Sequence, residues 1–462
     1  MTAADGPRTI TAAADLIRRG DLTPSDLLEQ CLARIDRYEP RVKAWVVVDR
    51  DGAREQAERL TVELKAGQNR GPLHGIPVGI KDIIDVFDLP TGCGSKLWAN
   101  SIARRDATCV ARLRQAGAVI LGKTVTTPFA FLDPPPTRNP WNLDRTPGGS
   151  SSGSAAAVAC GMCLGSLGSQ TGGSLTRPAS YCGVYSLKPT HGRVSVDGVL
   201  PLAPSLDHIG VMANGVRDLA ILFHAIAGKD PNDPDTLALV IHDPFGERYE
   251  PPRDPEMGVE HHWMCVTDDF FLDRCTTPMR EAFDAAVRRL TTAEPTAGMI
   301  GRVRPVALPP GFALIPESHP SVMAVEAAAY HGDRFRRRPD DYPPRIRGLI
   351  ERGLRTGGVE YARCKRHQQQ LTDEMRSRFR LLITPAATGP APKPDTTGDP
   401  VCNSPWSYTG MPTISVPIGW SSDGLPLGLQ LVVKRGQEDD LFRTAAWAER
   451  VIAFNPRPLP LD

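Results

Sequence analysis

Apolar positions change their spacing several times along this chain, and each change marks an element. Residues 9–39 predict two helices interrupted at Gly20. The second starts at Thr23-Pro24-Ser25-Asp26, with Thr23 and Asp26 placed for a capping box and Pro24 suited to the first helical position. Residues 44–48, Ala-Trp-Val-Val-Val, predict a short strand rich in β-branched residues, and residues 52–66 a further helix closed by the polar turn 67–71. The run Ile76-Pro77-Val78-Gly79-Ile80 has no polar face, so it predicts a strand buried on both sides that ends at Lys81. A helix at 106–116, a strand at 119–122 and an irregular Pro-rich loop at 134–140 follow. A helix is expected over 216–227, a Pro/Asp-rich surface connection over 229–258, and mostly helix over 280–380. Sheet-forming residues return after 380. Strands alternating with helices predict α/β layers around one large mixed sheet.

The stretch from Thr146 to Pro189 breaks this rhythm. It holds two Gly/Ser clusters, Gly148-Gly149-Ser150-Ser151-Ser152-Gly153-Ser154 and Thr171-Gly172-Gly173-Ser174. Such a composition is also that of flexible linkers. The apolar run Ala155-Ala156-Ala157-Val158-Ala159 between the clusters argues instead for a buried helix. Small residues then let backbones approach one another and let amide N–H groups point into a cavity.

Charge adds little. The net charge is +1, which gives no field favouring nucleic acid or an acidic membrane. The basic run Arg334–Arg338 reads as a solvated face. The N-terminus has no apolar signal-like core and no apolar run reaches membrane-spanning length, so a cytoplasmic protein is expected. The ten cysteines are scattered, which fits buried thiols in a reducing compartment. Cys160 and Cys163 have C-x-x-C spacing, but they sit in the apolar run without a partner motif and read as packing thiols.

The two clusters, the segment Arg177-Pro178-Ala179, and Cys182-Gly183-Val184 leading to Leu187-Lys188-Pro189 together resemble the amidase-signature family. Gly75-Ile76-Pro77-Val78-Gly79-Ile80-Lys81-Asp82 matches the family's lysine segment, and the resemblance resumes over 380–450. It implies a single domain over 1–462, with a large mixed β-sheet of about eleven strands sandwiched between α-helices. Within it, 1–70 is an N-terminal helical segment, 70–230 the signature core, 230–380 a variable helical pocket region, and 380–462 a return to the core sheet.

The resemblance also implies a Ser–cis-Ser–Lys triad. Ser174 is the nucleophile, Ser150 the bridging serine after a cis Gly149–Ser150 bond, and Lys81 the base; the serines lie 24 residues apart, as the family's motif requires. A serine hydroxyl needs a base, and a neutral lysine can serve. Lysine titrates near ~10.4, so it must be desolvated, which the apolar strand before Lys81 provides. The N–H groups of Thr171, Gly172, Gly173 and Ser174 are expected to form the oxyanion hole. Gly149, Ser151, Gln170 and Arg177 are supporting residues. Three positions depart from many relatives: Gln170 stands where they have aspartate, Arg177 follows the nucleophile at three residues rather than two, and Pro128 replaces a glutamate before Phe129-Ala130.

Competing readings fail on context. Gly149-Ser150-Ser151-Ser152-Gly153 fits a nucleophile elbow centred on Ser151, but turn-rich residues 139–147 precede it instead of a strand. Neither cluster has the Gly-Lys-Ser/Thr ending of a P-loop. The ten histidines show no ligand spacing, so no metal and no cofactor are expected. The expected activity is hydrolysis of an amide or carbamate bond in a small aryl or apolar substrate. The expected partners are that small molecule alone, with no nucleic acid and no membrane, in a chain for which a homodimer stays open. Alternatives on the same scaffold are the glutaminase subunit of a tRNA-dependent amidotransferase and a urethane or ester hydrolase. Residues 128–143 and 311–350, with Phe312, Leu314, Ile315, Met323, Tyr330 and Phe335, are equally candidates for pocket and for core.

Overall fold

The computed structural model describes residues 6–239, 245, 264–267, 270–293, 303–376 and 378–461. Its first two helices, α1 (Ile10–Arg19) and α2 (Pro24–Val42), stop and start where the sequence requires. Gly20 ends α1 in the left-handed conformation at φ 77°, and both halves of the Thr23/Asp26 capping box are formed. Then come β1 (Trp45–Val48), α3 (Arg50–Lys65) and β2 (Pro77–Lys81). All five residues of β2 are buried, so Lys81 is the last residue of the strand and lies inside the protein. Next are α4 (Thr108–Gln115) and β3 (Val119–Thr124).

The Gly/Ser stretch folds as a helix between strands, not as a linker. Helix α5 (Ser152–Ala159) runs from the first cluster, β4 (Gly165–Gln170) leads into the second, and α6 (Thr176–Cys182) leaves it. Seven of the eight residues of α5 are buried, as a helix apolar all round must be. A Cβ on Gly153 would stand 2.2 Å from the Ala44 carbonyl oxygen and 2.4 Å from the Val125 nitrogen, so only glycine lets α5 approach the backbone there. Strands β5 (Tyr185–Lys188) and β6 (His208–Ala213) and helix α7 (Val216–Ile226) complete this half.

The second half holds β7 (Met264–Val266), α8 (Thr277–Thr292), β8 (Val303–Pro305), α9 (Ile315–Arg337), α10 (Pro344–Arg355) and α11 (Gly358–Met375). It closes with β9 (Leu381–Pro385), α12 (Ser404–Tyr408), β10 (Thr413–Trp420), β11 (Pro426–Val433) and α13 (Glu438–Ile452). The strands make one 11-stranded mixed sheet in the order β1-β3-β2-β4-β6-β5-β10-β11-β9-β7-β8. Parallel pairs join β2 to β3 and to β4, and β7 to β8 and to β9. The α/β mixed-sheet expectation therefore holds. Most of the expected surface connection at 229–258 lies outside the described residues.

Register fixes the site. Strand β2 pairs in parallel with β4, placing Ile80 opposite Leu167 and bringing the end of β2 beside Ser169 and Gln170. On its other side Ile80 pairs with Lys123 of β3, and Lys81 with Thr124. Side chains alternate faces along a strand, so Asp82 and Lys123 share one face while Lys81 points to the other. Asp82 and Lys123 form a buried ion pair at 3.0 Å. The carboxylate next to Lys81 in sequence is therefore paired with another lysine.

Candidate active site

Lys81 is fully buried. Its Nζ lies 2.6 Å from Ser150 Oγ and 2.7 Å from Ser169 Oγ, and no carboxylate lies within ion-pair distance among the described residues. Burial pushes its pKa well below the ordinary lysine value, with Asp207 drawing it back only in part. A neutral amine has one lone pair and two N–H bonds, so it can accept from one of these hydroxyls and donate to the other. Ser169 is a contact that the sequence reading did not identify. It sits at the second-last position of β4, one residue before Gln170, and only the pairing of β2 with β4 brings it to Lys81.

Ser150 follows a cis peptide bond from Gly149, as the resemblance implied. A Cβ on Gly149 would stand 2.8 Å from Thr397 Cγ2 and 2.9 Å from Thr127 Cγ2, which explains glycine there. Arg177, also buried, donates from Nη2 to the Gly149 carbonyl (2.8 Å) and to Thr397 Oγ1 (3.2 Å), bracing the same peptide. Ser151 turns away from the Lys81 cluster: its Oγ exchanges hydrogen bonds with the backbone N–H and C=O of Ser169, both at 3.2 Å. Its role is to tie the first Gly/Ser cluster to β4, and the nucleophile-elbow reading has no support here.

Ser174 sits at the end of the second cluster, where its hydroxyl makes no hydrogen bond with the described residues and the residue lines a cavity of about 550 Å³. No hydrogen bond joins Ser150 Oγ to Ser174 Oγ. The turn before Ser174 has a one-sided arrangement. The Thr171 carbonyl accepts from His319 Nε2 (2.9 Å), the Gly172 carbonyl from Ser407 Oγ (3.0 Å), and the Gly173 carbonyl from the Arg177 N–H (3.0 Å). The N–H groups of Gly172, Gly173 and Ser174 donate to no acceptor among the described residues. Gln170 braces the turn from below: its Oε1 accepts from the N–H of Leu175 (3.0 Å) and of Thr176 (3.1 Å), and its Nε2 donates to Ser407 Oγ (3.2 Å). The Thr171 hydroxyl donates to Asp207, whose carboxyl is pushed up to about 6 by burial.

The cavity walls come from distant segments. Ala130, Phe131 and Leu132 form one side; Ile315, His319 and Met323 of α9 and Leu349 of α10 form another. Of the apolar residues singled out in sequence, Ile315 and Met323 line the cavity. Phe312 is core, packed against Phe270, Phe271 and Trp406. Leu314 is exposed, Tyr330 lines a different hollow, and Phe335 packs on Tyr342. The segments at Phe270 and Arg274 and at 399–405, which also line the cavity, carried no motif.

Among the described residues no three His, Cys, Asp or Glu side chains gather to hold a metal ion, and no helix is long and apolar enough to cross a membrane. All ten cysteines are buried, and none forms a disulfide.

A family model for amidases matches residues 26–442. AmiD of Mycobacterium tuberculosis is 35% identical over 470 residues, covering 98% of this chain and 96% of that protein. A glutamyl-tRNA(Gln) amidotransferase subunit of Roseiflexus sp. is 35% identical over 497 residues, covering 98% and 99%. The native peptide amidase of Stenotrophomonas maltophilia superposes with a TM-score of 0.81 at 27% identity, covering 98% of each chain. With the sheet order, the cis Gly149–Ser150 bond and the buried Lys81 in place, these matches mean that the chain belongs to the amidase (amidase-signature) family and is an amide-hydrolysing enzyme.

Proposed function

We propose that the enzyme hydrolyses an amide or carbamate bond of a small, aryl or apolar substrate through an acyl-enzyme on Ser174. The observation that carries this reading is the buried Lys81 amine, 2.6 Å from Ser150 Oγ, together with Ser174, which lines the cavity with no hydrogen bond from its Oγ to the described residues. Neutral Lys81 takes the Ser174 proton by way of Ser150 as the serine oxygen attacks the carbonyl carbon. The same path returns the proton to the leaving nitrogen when the C–N bond breaks, and water then repeats the cycle on the acyl-enzyme. The Ser150–Ser174 link closes when substrate fills the cavity, since such bonds are commonly long in empty sites. The oxyanion rests on the unpaired N–H groups of the turn, of which those of Gly172, Gly173 and Ser174 are the candidates. The apolar walls (Phe131, Leu132, Ile315, Met323, Leu349 and Val401) support an apolar acyl or aryl group; of the charged lining residues, Arg274, Arg352 and Asp399 are exposed and the buried Arg177 is tied to the Gly149 carbonyl.

The similarity to the Roseiflexus amidotransferase keeps glutamine as a second substrate to test. The apolar walls and the uncharged Gln170 favour the first reading. A hydrolysis screen over aryl amides, aliphatic amides, carbamates and glutamine, run on the wild type, Ser174→Ala and Lys81→Ala, decides between them. Ser174→Ala should abolish turnover and labelling by a fluorophosphonate. Lys81→Ala should depress amide hydrolysis more than that of a matched activated ester, because an amine leaving group needs the acid step as well, each step being worth about 10²–10⁴-fold. Labelling that persists in Ser174→Ala, or equal losses on amide and ester, contradicts the mechanism. Glutamine turned over fastest contradicts the substrate class.

A further inference from the structure

We infer that His319 is a positioning residue for the oxyanion-binding turn, an inference that rests on the acyl-enzyme reading above. His319 lies on α9, in the region where sequence resemblance is weakest, and belongs to neither Gly/Ser cluster. Its ring is 3% exposed and lines the cavity. A carbonyl oxygen only accepts, so the 2.9 Å contact from Nε2 to the Thr171 oxygen places the ring proton on Nε2. Burial holds the imidazole in its neutral form by pushing its pKa down. The ring is braced edge-on by Tyr408, with centroids 6.1 Å apart.

The consequence lies in the orientation of peptides. Three successive carbonyls, from Thr171 to Gly173, are tied to groups of the protein, and the peptide N–H groups that follow them carry no partner among the described residues. Each peptide plane is rigid, so fixing the carbonyl of residue 171 fixes the direction of the Gly172 N–H. The tie is needed because glycines at 172 and 173 leave the turn free to rotate. Arg177 fixes the Gly173 carbonyl from within α6, and Ser407 fixes that of Gly172 from α12. His319 is the only tie among the described residues on the Thr171 carbonyl, and it couples the turn to the helix that walls the acyl cavity. A misdirected peptide would offer the oxyanion a carbonyl instead of a donor.

The test uses three substitutions. In His319→Gln the side-chain amide reaches the place of Nε2 and can donate to Thr171. In His319→Asn the amide ends near the place of Nδ1 and cannot, and His319→Leu fills the volume with no donor. His319→Asn and His319→Leu should lower kcat on a matched amide about 10- to 100-fold, less than loss of a whole donor, with KM within about threefold of wild type. Affinity for a boronic acid, whose tetrahedral adduct on Ser174 needs the same donors, should fall by a similar factor. His319→Gln should keep both within about threefold of wild type. Equal behaviour of Gln and Leu variants, whether both active or both impaired, overturns the inference, as does a loss confined to KM with boronic acid binding intact. Failure of the acyl-enzyme reading is separate, because it shows as turnover or labelling retained in Ser174→Ala.

Discussion

Replacing Lys81 by methionine removes the proposed base while nearly preserving volume, and it should make the protein inactive and more stable at neutral pH. The effect follows from the burial of the amine with no carboxylate in ion-pair distance among the described residues. Holding a lysine neutral in the fold at pH 7, where the unfolded chain would protonate it, costs several kcal/mol. Methionine escapes that cost but forfeits the contacts to Ser150 and Ser169, worth ~1 kcal/mol each. The net is a gain in stability at pH 7. The sign of the pH dependence follows from proton counting. The folded pKa lies below the unfolded one, so between the two the unfolded chain binds more protons, and wild-type stability rises with pH in that window. That cost shrinks as the pH rises towards the ordinary lysine value, and the advantage of methionine shrinks with it. For 462 residues 1 kcal/mol moves Tm by roughly 1 °C, so scanning calorimetry should give a gain of roughly 1 °C or more at pH 7 that shrinks as the pH is raised. Amide turnover by the wild type should rise with pH through the same lowered pKa. A variant less stable than wild type at pH 7, or a gap that does not change with pH, means that Lys81 is charged in the fold and is not the base.

Two further outcomes are expected. Activity should be unaffected by EDTA and need no added metal, since the proposed steps use only Lys81, Ser150, Ser174 and backbone N–H groups; loss with EDTA and recovery with zinc would contradict this. The ten cysteines, all buried and none in a disulfide, should be inert to a thiol reagent in the native protein and react as ten in denaturant, and a fast-reacting thiol in the native state would show that a segment opens.

Much of the site was written locally. The all-apolar run before Lys81 could only be a strand buried on both faces, so the desolvation of its last residue followed from residues 76–80. The density of small residues in 148–154 and 171–174 required close backbone approach, and the backbone collisions a Cβ would meet at Gly148 and Gly153 show why. Helix starts and stops such as Thr23/Asp26 and Gly20 were legible because capping involves residues three or four apart.

What the sequence left open depends on register and on contacts between remote segments. Asp82 stands next to Lys81 in the chain, yet strand alternation and the pairing of β2 with β3 give it to Lys123, leaving Lys81 with no carboxylate in ion-pair distance among the described residues. Ser169 meets Lys81 only because β4 pairs with β2, a contact across 88 residues. His319 reaches Thr171 across 148 residues, and Ser407 reaches Gly172 across 235. Whether Phe312 or Met323 faced the cavity was likewise undecidable from hydrophobicity, because an apolar side chain suits a core and a substrate wall equally; only the packing of α9 against α10 and the 399–405 segment separated them.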